Sequence, residues 1–541
     1  MATTLWSVTW RFAPGVSIPQ VLLGGSYAIL FWAGFKLRNN TFFSRSFALF
    51  VSLAALYQTV LGVIQWHDSS DTNLAHRAWE VLGTYDVHTE LAGLLALALP
   101  LTAGLLFTRS SRWIKAVLGL LLLGLAAGLV IVAARAVWTI MLFVSIIALV
   151  LLPGRKKYLW ASAALATAGA AAYLGRDIIM SRLALWSDWR HILADPRFEC
   201  WSVAARLLID NPWTGVGLGF LPTESISIKP PDLDQWAIYA FNYFLHMGAE
   251  TGFFGLAVFS MFFLLCGVSA LRVLKQNSPD STVDPLKKAA SFAVICFLLH
   301  SLIDHNFQTP FNAAVFMLLA ASIMHRPGRP GPLPSGRRSL IANGTAAALT
   351  AVSLFLLTVL PFYAQADRHF QLGHAKMLAG RSVEAKDHFK RALDLFAFHY
   401  PAAIKMAELW THVALNDKDT ARKKLLWRGA YQHWSNVVRL NPEMPEDHIS
   451  LVKARIGMNG DVVSQVDLDD LSRHIDKRPG QPRSMHMAAA FVLARCGQND
   501  LACSEWAIER LRASSLLDPK FKWRFDQELK KYQDRTKRSS S

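Results

Sequence analysis

The sequence predicts an all-α protein, a polytopic bundle of about ten membrane-spanning helices followed by a helical-repeat solenoid. Three observations predict this fold class. The residues AVILMFWYC make up 52% of the 541 residues, whereas charged residues make up 18%. Apolar runs recur at the length of roughly 20 residues that crosses hydrocarbon, and after Tyr363 mixed-charge helical periodicity replaces them. This balance excludes a disordered chain and an ordinary soluble enzyme.

Ten apolar runs are predicted to span the membrane. The run from Trp113 to Leu152 is too long for one crossing, so we divide it into a hairpin at Arg135. The predicted spans lie near residues 18–35, 46–64, 88–107, 114–133, 136–152, 158–175, 252–271, 289–304, 310–324 and 340–363.

The net charge of +17 is distributed in short basic clusters between the apolar runs. This distribution favours a positive-inside membrane topology over nucleic-acid binding. Basic connections, such as Arg155 to Lys157, alternate with lysine-poor or acidic ones, such as Asp304 to Asn306. We therefore expect the long connection 176–251 and both termini to lie on the outer face of the membrane.

A membrane unit is predicted at residues 1–364 and a soluble helical unit at 365–541. The second unit carries a degenerate tetratricopeptide pattern. Its unequal intervals leave a plain helical domain as the alternative, and a repeat surface would suit a protein partner. The pattern residues are Leu372, Gly373, Ala385, Phe389, Ala392, Ala430, Trp434, Val437, Pro442, Ala507, Leu511, Ser514 and Pro519.

The long outward connection contains a predicted amphipathic helix. Asp195 and Pro196 form its N-terminal cap, and the helix ends before Asn211 and Pro212. Arg197 lies in the first turn, where the helix dipole disfavours a cation and the free N–H groups favour an anion. The two facts fit together if a phosphate is bound, and a solvated surface arginine is the alternative. The predicted apolar stripe is Trp201, Ala204, Ala205 and Leu208.

Further arginines concentrate on the outer face. Arg135 interrupts an apolar stretch, so it either snorkels to the interface or lines a polar cavity. Together with Arg197 and Arg206 it would suit a lipid-linked diphosphate, because guanidinium groups are planar and always charged. Arg206 follows Arg197 by nine residues, so on a straight helix the two point to opposite sides.

The outer end of the eighth predicted span carries His300 and Asp304, four residues apart, followed by His305. A paired histidine and aspartate could do acid/base work or cap the helix. Gly215, Gly217 and Gly219 have no preceding strand, so they indicate a close-approach turn and not a dinucleotide motif. We expect neither a metal nor another cofactor, and among the cysteines only Cys496 and Cys503 are candidates for a disulfide.

Three stretches resemble the O-antigen ligase and polymerase family of bacterial inner-membrane glycosyltransferases. They are Ala134–Ala136, Arg197–Gly219 and Asn242–Gly255, and the segment His300–Pro310 resembles members with C-terminal tetratricopeptide repeats. The resemblance covers about residues 130–325.

The resemblance implies transfer of a glycan from an undecaprenyl diphosphate carrier to an acceptor glycan or lipid at the periplasmic face, without a metal. It implies that Arg135 and Arg197 bind the diphosphate and that Glu250, with Gly252, shapes the site. Arg206, Asn242 and Asp304 are the further candidates for substrate binding.

One position departs from the family. Phe241 precedes Asn242 where members usually have a histidine that activates the acceptor. We expect Glu250, His246 or His305 to replace that base, with Glu250 as the first choice. A polysaccharide polymerase, a lipid-linked glycan carrier and a non-catalytic scaffold remain as alternative functions.

Overall fold

The computed structural model of the protein describes most of the chain, and its described residues form helices and turns without a β-strand. These residues are 11–68, 81–85, 87–108, 110–151, 173, 176, 180, 195–225, 228, 239–276, 285–324, 358–476, 482–496, 500–517 and 522–540.

The first part of the chain is a bundle of apolar helices. Its elements are α1 (Pro14–Leu37), α2 (Thr41–Asp68), α3 (His88–Leu106), α4 (Arg112–Val132), α5 (Arg135–Leu151), α6 (Pro196–Asp210), α7 (Leu221–Ser225), α8 (Tyr243–Lys275), α9 (Pro285–His300) and α10 (Pro310–Ile323). Among the described helices, α1 to α4 and α8 are long and apolar enough to cross a membrane, and shorter apolar segments occur in α5 and α10. The protein is therefore membrane-embedded.

The predicted spans are confirmed in part. Five of them correspond to α1, α2, α3, α4 and α8, and those near 136–152 and 310–324 correspond to shorter helices. The span predicted to reach residue 304 instead ends at His300 as α9. The span near 158–175 and most of the one near 340–363 lie outside the described residues, so the total of about ten is not confirmed.

The predicted break before Arg135 is confirmed. Helix α4 ends at Val132, and Ala133 adopts the left-handed conformation with φ 54°. Helix α5 then begins at Arg135. A left-handed residue cannot continue a right-handed helix, so the chain turns here and Arg135 lies at a helix end.

Helix α3 is the centre of the bundle. Its most apolar window is 83% buried, whereas the same measure is at most 39% in the other four candidate spans. It packs against α2, α4 and α9. Because α3 is surrounded by protein, a polar side chain in its first turn lies inside the molecule and needs partners there.

The connection after α6 packs closely against α8, as the three glycines predict. The Val216 and Gly217 amides donate to the carbonyl oxygens of Ala249 and Glu250, at 2.8 and 2.9 Å. Gly215 has φ 64°, and a Cβ there would lie 2.3 Å from the carbonyl carbon of Glu250. Glycine is therefore required at this approach, which holds the loop beside the first turns of α8.

Helix α8 begins at Tyr243, directly after its cap residue Asn242. The Asn242 side-chain oxygen accepts from the amides of Phe244 and Leu245, at 3.0 and 3.1 Å, and caps the helix. Phe241 precedes it with φ 48°, and Gly252 interrupts it with φ 68°. The helix therefore starts after Asn242, so Phe241 lies outside it, and Gly252 interrupts the helix beyond Glu250.

The buried face of α6 differs from the predicted stripe. Trp201 and Ala205 are only half-buried, and Ala204 and Leu208 are buried as expected. The helix turns its Cys200, Val203 and Leu207 row inward because it packs against α8. The Trp201 indole lies at the edge of this contact and donates to the Phe241 carbonyl at 3.1 Å.

The second part of the chain is a series of helices, and from Ser382 onward each helix packs on the next. They are α11 (358–378), α12 (Ser382–Leu395), α13 (Tyr400–Asn416), α14 (Thr420–Leu440), α15 (Pro445–Met458), α16 (Gln465–Asp476), α17 (Pro482–Leu493), α18 (Leu501–Leu517) and α19 (Lys522–Ser540). Helix α11 runs across the predicted boundary at residue 364 without a break.

Much of the repeat pattern marks buried positions. Ala385, Phe389, Ala392, Ala430, Trp434, Val437, Ala507, Leu511 and Ser514 are all buried. Leu372 is 41% exposed, contrary to the pattern. These contacts hold helix pairs together but do not establish a tetratricopeptide solenoid, which stays a prediction. Cys496 and Cys503 form the expected disulfide.

The helices of the second part contact the bundle through the start of α1. Arg11 donates to Glu224 of α7 at 2.7 Å and to Glu443, between α14 and α15, at 3.2 Å. It also donates to the Val216 carbonyl at 2.9 Å. One arginine therefore ties the second part to the loop that lies against Glu250.

Candidate functional site

The polar centre of the bundle is the turn between α9 and α10, which includes the 3₁₀ turn Asn306–Gln308. Asp304, His305 and Asn306 are at most 1% exposed, although they belong to a connection. They are enclosed by the N-terminal ends of α3, α6 and α8. Buried groups of this kind need partners, and the surrounding helices supply them.

His305 lies between two carboxylates. Its Nδ1 is 2.8 Å from Asp304 Oδ1, and its Nε2 is 3.1 Å from Glu90 Oε1 in the first turn of α3. Burial by itself lowers the pKa of His305, but the two carboxylates outweigh burial and raise the pKa to about 9. The imidazole is therefore a cation near neutral pH: its Nε2 hydrogen-bonds Glu90, and its Nδ1 forms an ion pair with Asp304 without hydrogen-bond geometry.

Asp304 is the matching anion. Burial by itself raises its pKa, but His305 and His300 hold the pKa well below the ordinary value. Its Oδ2 is 3.5 Å from His300 Nε2. The pairing predicted from the four-residue spacing of His300 and Asp304 is thus present, although the helix ends at His300 and the contact is made across a turn.

Arg197 reaches the same cluster from α6. Its Nη2 is 3.7 Å from Asp304 Oδ2, and its guanidinium carbon is 5.7 Å from the centre of the Phe241 ring. His305 is also a neighbour of that ring, with centroids 5.0 Å apart. Two cationic side chains thus lie near Phe241, at the position where the resembling family has a histidine.

Asp195 and Arg135 complete this end of α6. The Asp195 carboxylate accepts from the Arg197 amide at 3.0 Å, which confirms the predicted cap. Arg135 is half-buried at the start of α5 and interacts electrostatically with both Asp195 and Arg197. The structure therefore brings together the two arginines that the sequence singled out.

A second polar group lies on the first turns of α8. His246 Nε2 is 3.3 Å from Glu250 Oε1 and 2.8 Å from the Gln308 amide nitrogen. His246 Nδ1 is buried and has no hydrogen-bond partner among the described residues. Glu250 Oε1 also accepts from the Leu221 amide at 3.2 Å. Glu250 therefore orients His246 and α7 and is itself 1% exposed.

Tyr239 connects the two groups. Its ring stacks on His305 at a centroid distance of 4.4 Å and is 6.3 Å from the His246 ring. The three catalytic candidates, Glu250, His246 and His305, therefore belong to one site.

Two predicted substrate-binding residues are not available in the cluster, since one points to solvent and the other caps a helix. Arg206 is exposed and makes no contact with the cluster among the described residues. It lies nine residues beyond Arg197, so the helix turns it away, as the spacing predicted. The Asn242 side-chain oxygen is used by the helix cap.

Glu90 was missed from the sequence. Its Oε1 also accepts from Thr309 Oγ1 at 2.9 Å, and its carbonyl oxygen accepts from the Asn312 amide at 2.8 Å. Gln308 was missed as well. The available signal was a single carboxylate in the first turn of an apolar predicted span, an expensive position unless the residue is paired.

An apolar groove ends beside this site. Its volume is about 410 Å³, and it lies between α1, α8 and α10. Gln308, the hydrogen-bond partner of His246, lies on its wall. Apolar lining residues include Tyr27, Phe31, Phe259, Phe262 and Phe307.

Among the described residues, no group of three or more histidine, cysteine, aspartate or glutamate side chains is arranged to hold a metal ion. The expectation of a metal-free site stays a prediction. The cations of this cluster are the guanidinium groups and the His305 imidazolium. The guanidinium groups can donate to an anionic ligand, whereas both His305 nitrogens face carboxylates, so His305 contributes its charge.

The helices and the buried charged cluster define an integral membrane protein with a polar site at one end of its bundle. Residues 120–260 match the family model described as O-antigen ligase. This range contains the end of α4, all of α5, α6 and α7, and the start of α8. The match supports the O-antigen ligase family and a membrane enzyme of ligase or polymerase type in polysaccharide assembly. A comparison with curated proteins found no match.

Proposed function

We propose that the protein transfers a glycan from an undecaprenyl diphosphate carrier to an acceptor hydroxyl at the periplasmic face, as an O-antigen ligase does. The observation that carries the proposal is the pair of cations, Arg197 and His305, that both lie within 6 Å of the Phe241 ring centre, at 5.7 and 5.0 Å. Arg197 lies within the residues that match the family. Cationic donors held in place before the reaction suit a leaving diphosphate.

In the proposed reaction, the acceptor oxygen attacks the anomeric carbon of the glycan. A new carbon–oxygen bond forms, and the bond to the diphosphate breaks with its electron pair leaving on the diphosphate. Arg197, Arg135 and the His305 imidazolium stabilise the charge that develops on that group. Their charge is fixed in position, so little reorganisation is needed during the reaction.

His246 is the acceptor base in this proposal. A general base needs a free lone pair, and both nitrogens of His305 face carboxylates. The carboxylate of Glu250 is buried and held by His246 and the Leu221 amide. The base role requires Nε2–H to point at Glu250 and the Gln308 amide to turn its oxygen, and not its nitrogen, toward the ring; His246 Nδ1 then keeps a lone pair for the acceptor proton. Glu250, the first choice from the sequence, becomes the group that orients it.

The apolar groove supports a lipid-linked substrate. Its aromatic walls open between helices of the bundle, and its polar end reaches Gln308 next to His246. An isoprenoid chain in this groove would bring its diphosphate toward the site, where the arginines lie.

The proposal includes a multi-pass protein of the bacterial inner membrane, with residues 176–251 and the unit 365–541 in the periplasm. The second unit would offer a surface to a protein partner. Reporter fusions after Pro222 and after Ala379 are expected to behave as exported. A cytoplasmic signal at either position would contradict the topology and the side of the membrane on which the site lies.

The function is tested by the lipid-linked glycans that accumulate when the protein is deleted. A ligase predicts long, unligated chains on the carrier, and a polymerase predicts single repeat units. Restoration by the native protein is the control. A glycan profile unchanged by the deletion would contradict both, and would favour the non-catalytic scaffold or carrier.

A further inference from the structure

We propose that Glu90 is a positioning residue that keeps the His305 imidazole protonated at neutral pH. Glu90 and Asp304 lie at opposite nitrogens of one imidazole ring, at 3.1 and 2.8 Å. A neutral imidazole offers one N–H and one lone pair, and a lone pair directed at a carboxylate is repulsive. Both contacts are satisfied only when the ring carries two protons.

The arrangement is rigid. Glu90 is 7% exposed and His305 is 1% exposed, so solvent does not screen the pair appreciably. The same Glu90 oxygen accepts from Thr309 at 2.9 Å, and the Glu90 carbonyl accepts from Asn312 at 2.8 Å. The first turn of α3 is thus hydrogen-bonded at several points to the segment that carries His305. These bonds fix the distance between the Glu90 carboxylate and the His305 ring.

Other charged or polar groups also lie near His305, and some are anionic and others cationic. Asp304 is the only other anion in direct contact among the described residues, and Arg197 and His300 are held on the far oxygen of Asp304. Tyr239 covers one face of the ring and separates it from His246. In the part of the chain that the structure describes, the Glu90 carboxylate is therefore the anion from another helix that contacts the imidazolium directly. Its removal should lower the pKa of His305.

The consequence for transfer rests on the proposed function, whereas the charge of His305 does not. Asp304 contacts both Arg197 and His305. If His305 were neutral, Arg197 would be the cation left in contact with Asp304, and the Phe241 ring would have one cationic neighbour instead of two. Glu90 supplies the second carboxylate that keeps the imidazole charged, so two cations lie near the Phe241 ring. This gives a site that binds an anion where the resembling family has a base.

The test uses the full-length protein in detergent and its thermal unfolding from about pH 6 to about pH 10. The folded pKa of His305 lies above its ordinary value of 6.5, so its stabilising contribution is complete below about 6.5 and is lost as pH rises through about 9. Glu90→Gln keeps the shape and a hydrogen-bond acceptor but removes the charge. As pH is raised, the unfolding temperature of the variant should therefore begin to fall at a lower pH than that of the native protein.

Thr309→Val is the matched control, because it removes a neutral hydrogen bond to the same Glu90 oxygen. It should lower the unfolding temperature by a similar amount at every pH, and His305→Gln should abolish the alkaline decline. A uniform shift in Glu90→Gln, or a decline that persists in His305→Gln, would overturn the proposal. These results do not depend on transfer activity.

Transfer provides the second measurement. The alkaline limb of the native pH profile should lie near 9, and Glu90→Gln should move it to lower pH, with about tenfold less activity above the limb for each unit of displacement. If the stability profiles shift and the native protein transfers no glycan, the charge on His305 stands and the proposed function fails. An activity profile that keeps its alkaline limb in Glu90→Gln would contradict the role in transfer.

Discussion

Replacing Arg197 by lysine is expected to lower glycan transfer by roughly 10²- to 10³-fold, the loss typical of removing one donor to a developing anion. Lysine keeps the charge but lacks the planar fork that donates to two oxygens of a diphosphate. The variant should fold normally, because the cap at this helix end uses the Arg197 backbone amide and not its side chain. Transfer is measured with purified protein, a lipid-linked donor and an acceptor.

Arg206→Lys is the matched control for this prediction. It lies on the same helix, is exposed, and makes no contact with the cluster among the described residues. Its transfer rate should stay close to native. Near-native transfer in Arg197→Lys, at normal protein level, would contradict the assignment of the diphosphate site. An Arg206→Lys defect equal to that of Arg197→Lys would mean that the helix matters as a whole and not the Arg197 fork.

His246→Ala is expected to lower transfer by roughly 10²-fold or more, the scale of general-base loss. The reason is that His246 Nδ1 has no hydrogen-bond partner among the described residues, because Glu250 and Gln308 both contact Nε2 of the same ring. Glu250→Gln should produce a smaller loss, because glutamine still accepts from the ring and loses only the charge. Initial rates with a fixed donor concentration distinguish the two variants.

The control for the histidine is His412→Ala, an exposed position in the second part of the chain that should transfer normally. If His246→Ala, Glu250→Gln and His305→Ala all transfer normally while Arg197→Ala is inactive, leaving-group stabilisation alone drives the reaction and the base assignment is wrong. If the native protein is also inactive with a competent donor and acceptor, the scaffold becomes the better function.

Local features of the site were predictable from sequence. The cap at Asp195 and the break before Arg135 depend on a few consecutive residues, and the structure has both. Helix caps and breaks are decided by backbone groups within one turn, so nearby side chains suffice to predict them. The error at the end of α9 has the same cause, since apolar residues continue through the turn to Ile303 and gave no local stop signal.

The sequence by itself therefore determined the membrane character of the protein, several helix ends and the candidate residues, because hydropathy and capping are local properties. Only the tertiary structure decided their roles. Glu90 and His305 are separated by 215 positions, yet their side chains meet at 3.1 Å. The protonation of a buried imidazole depends on which charged groups lie within a few ångströms of it. Electrostatic interactions weaken with distance, and the sequence does not show which distant residues come that close in the fold.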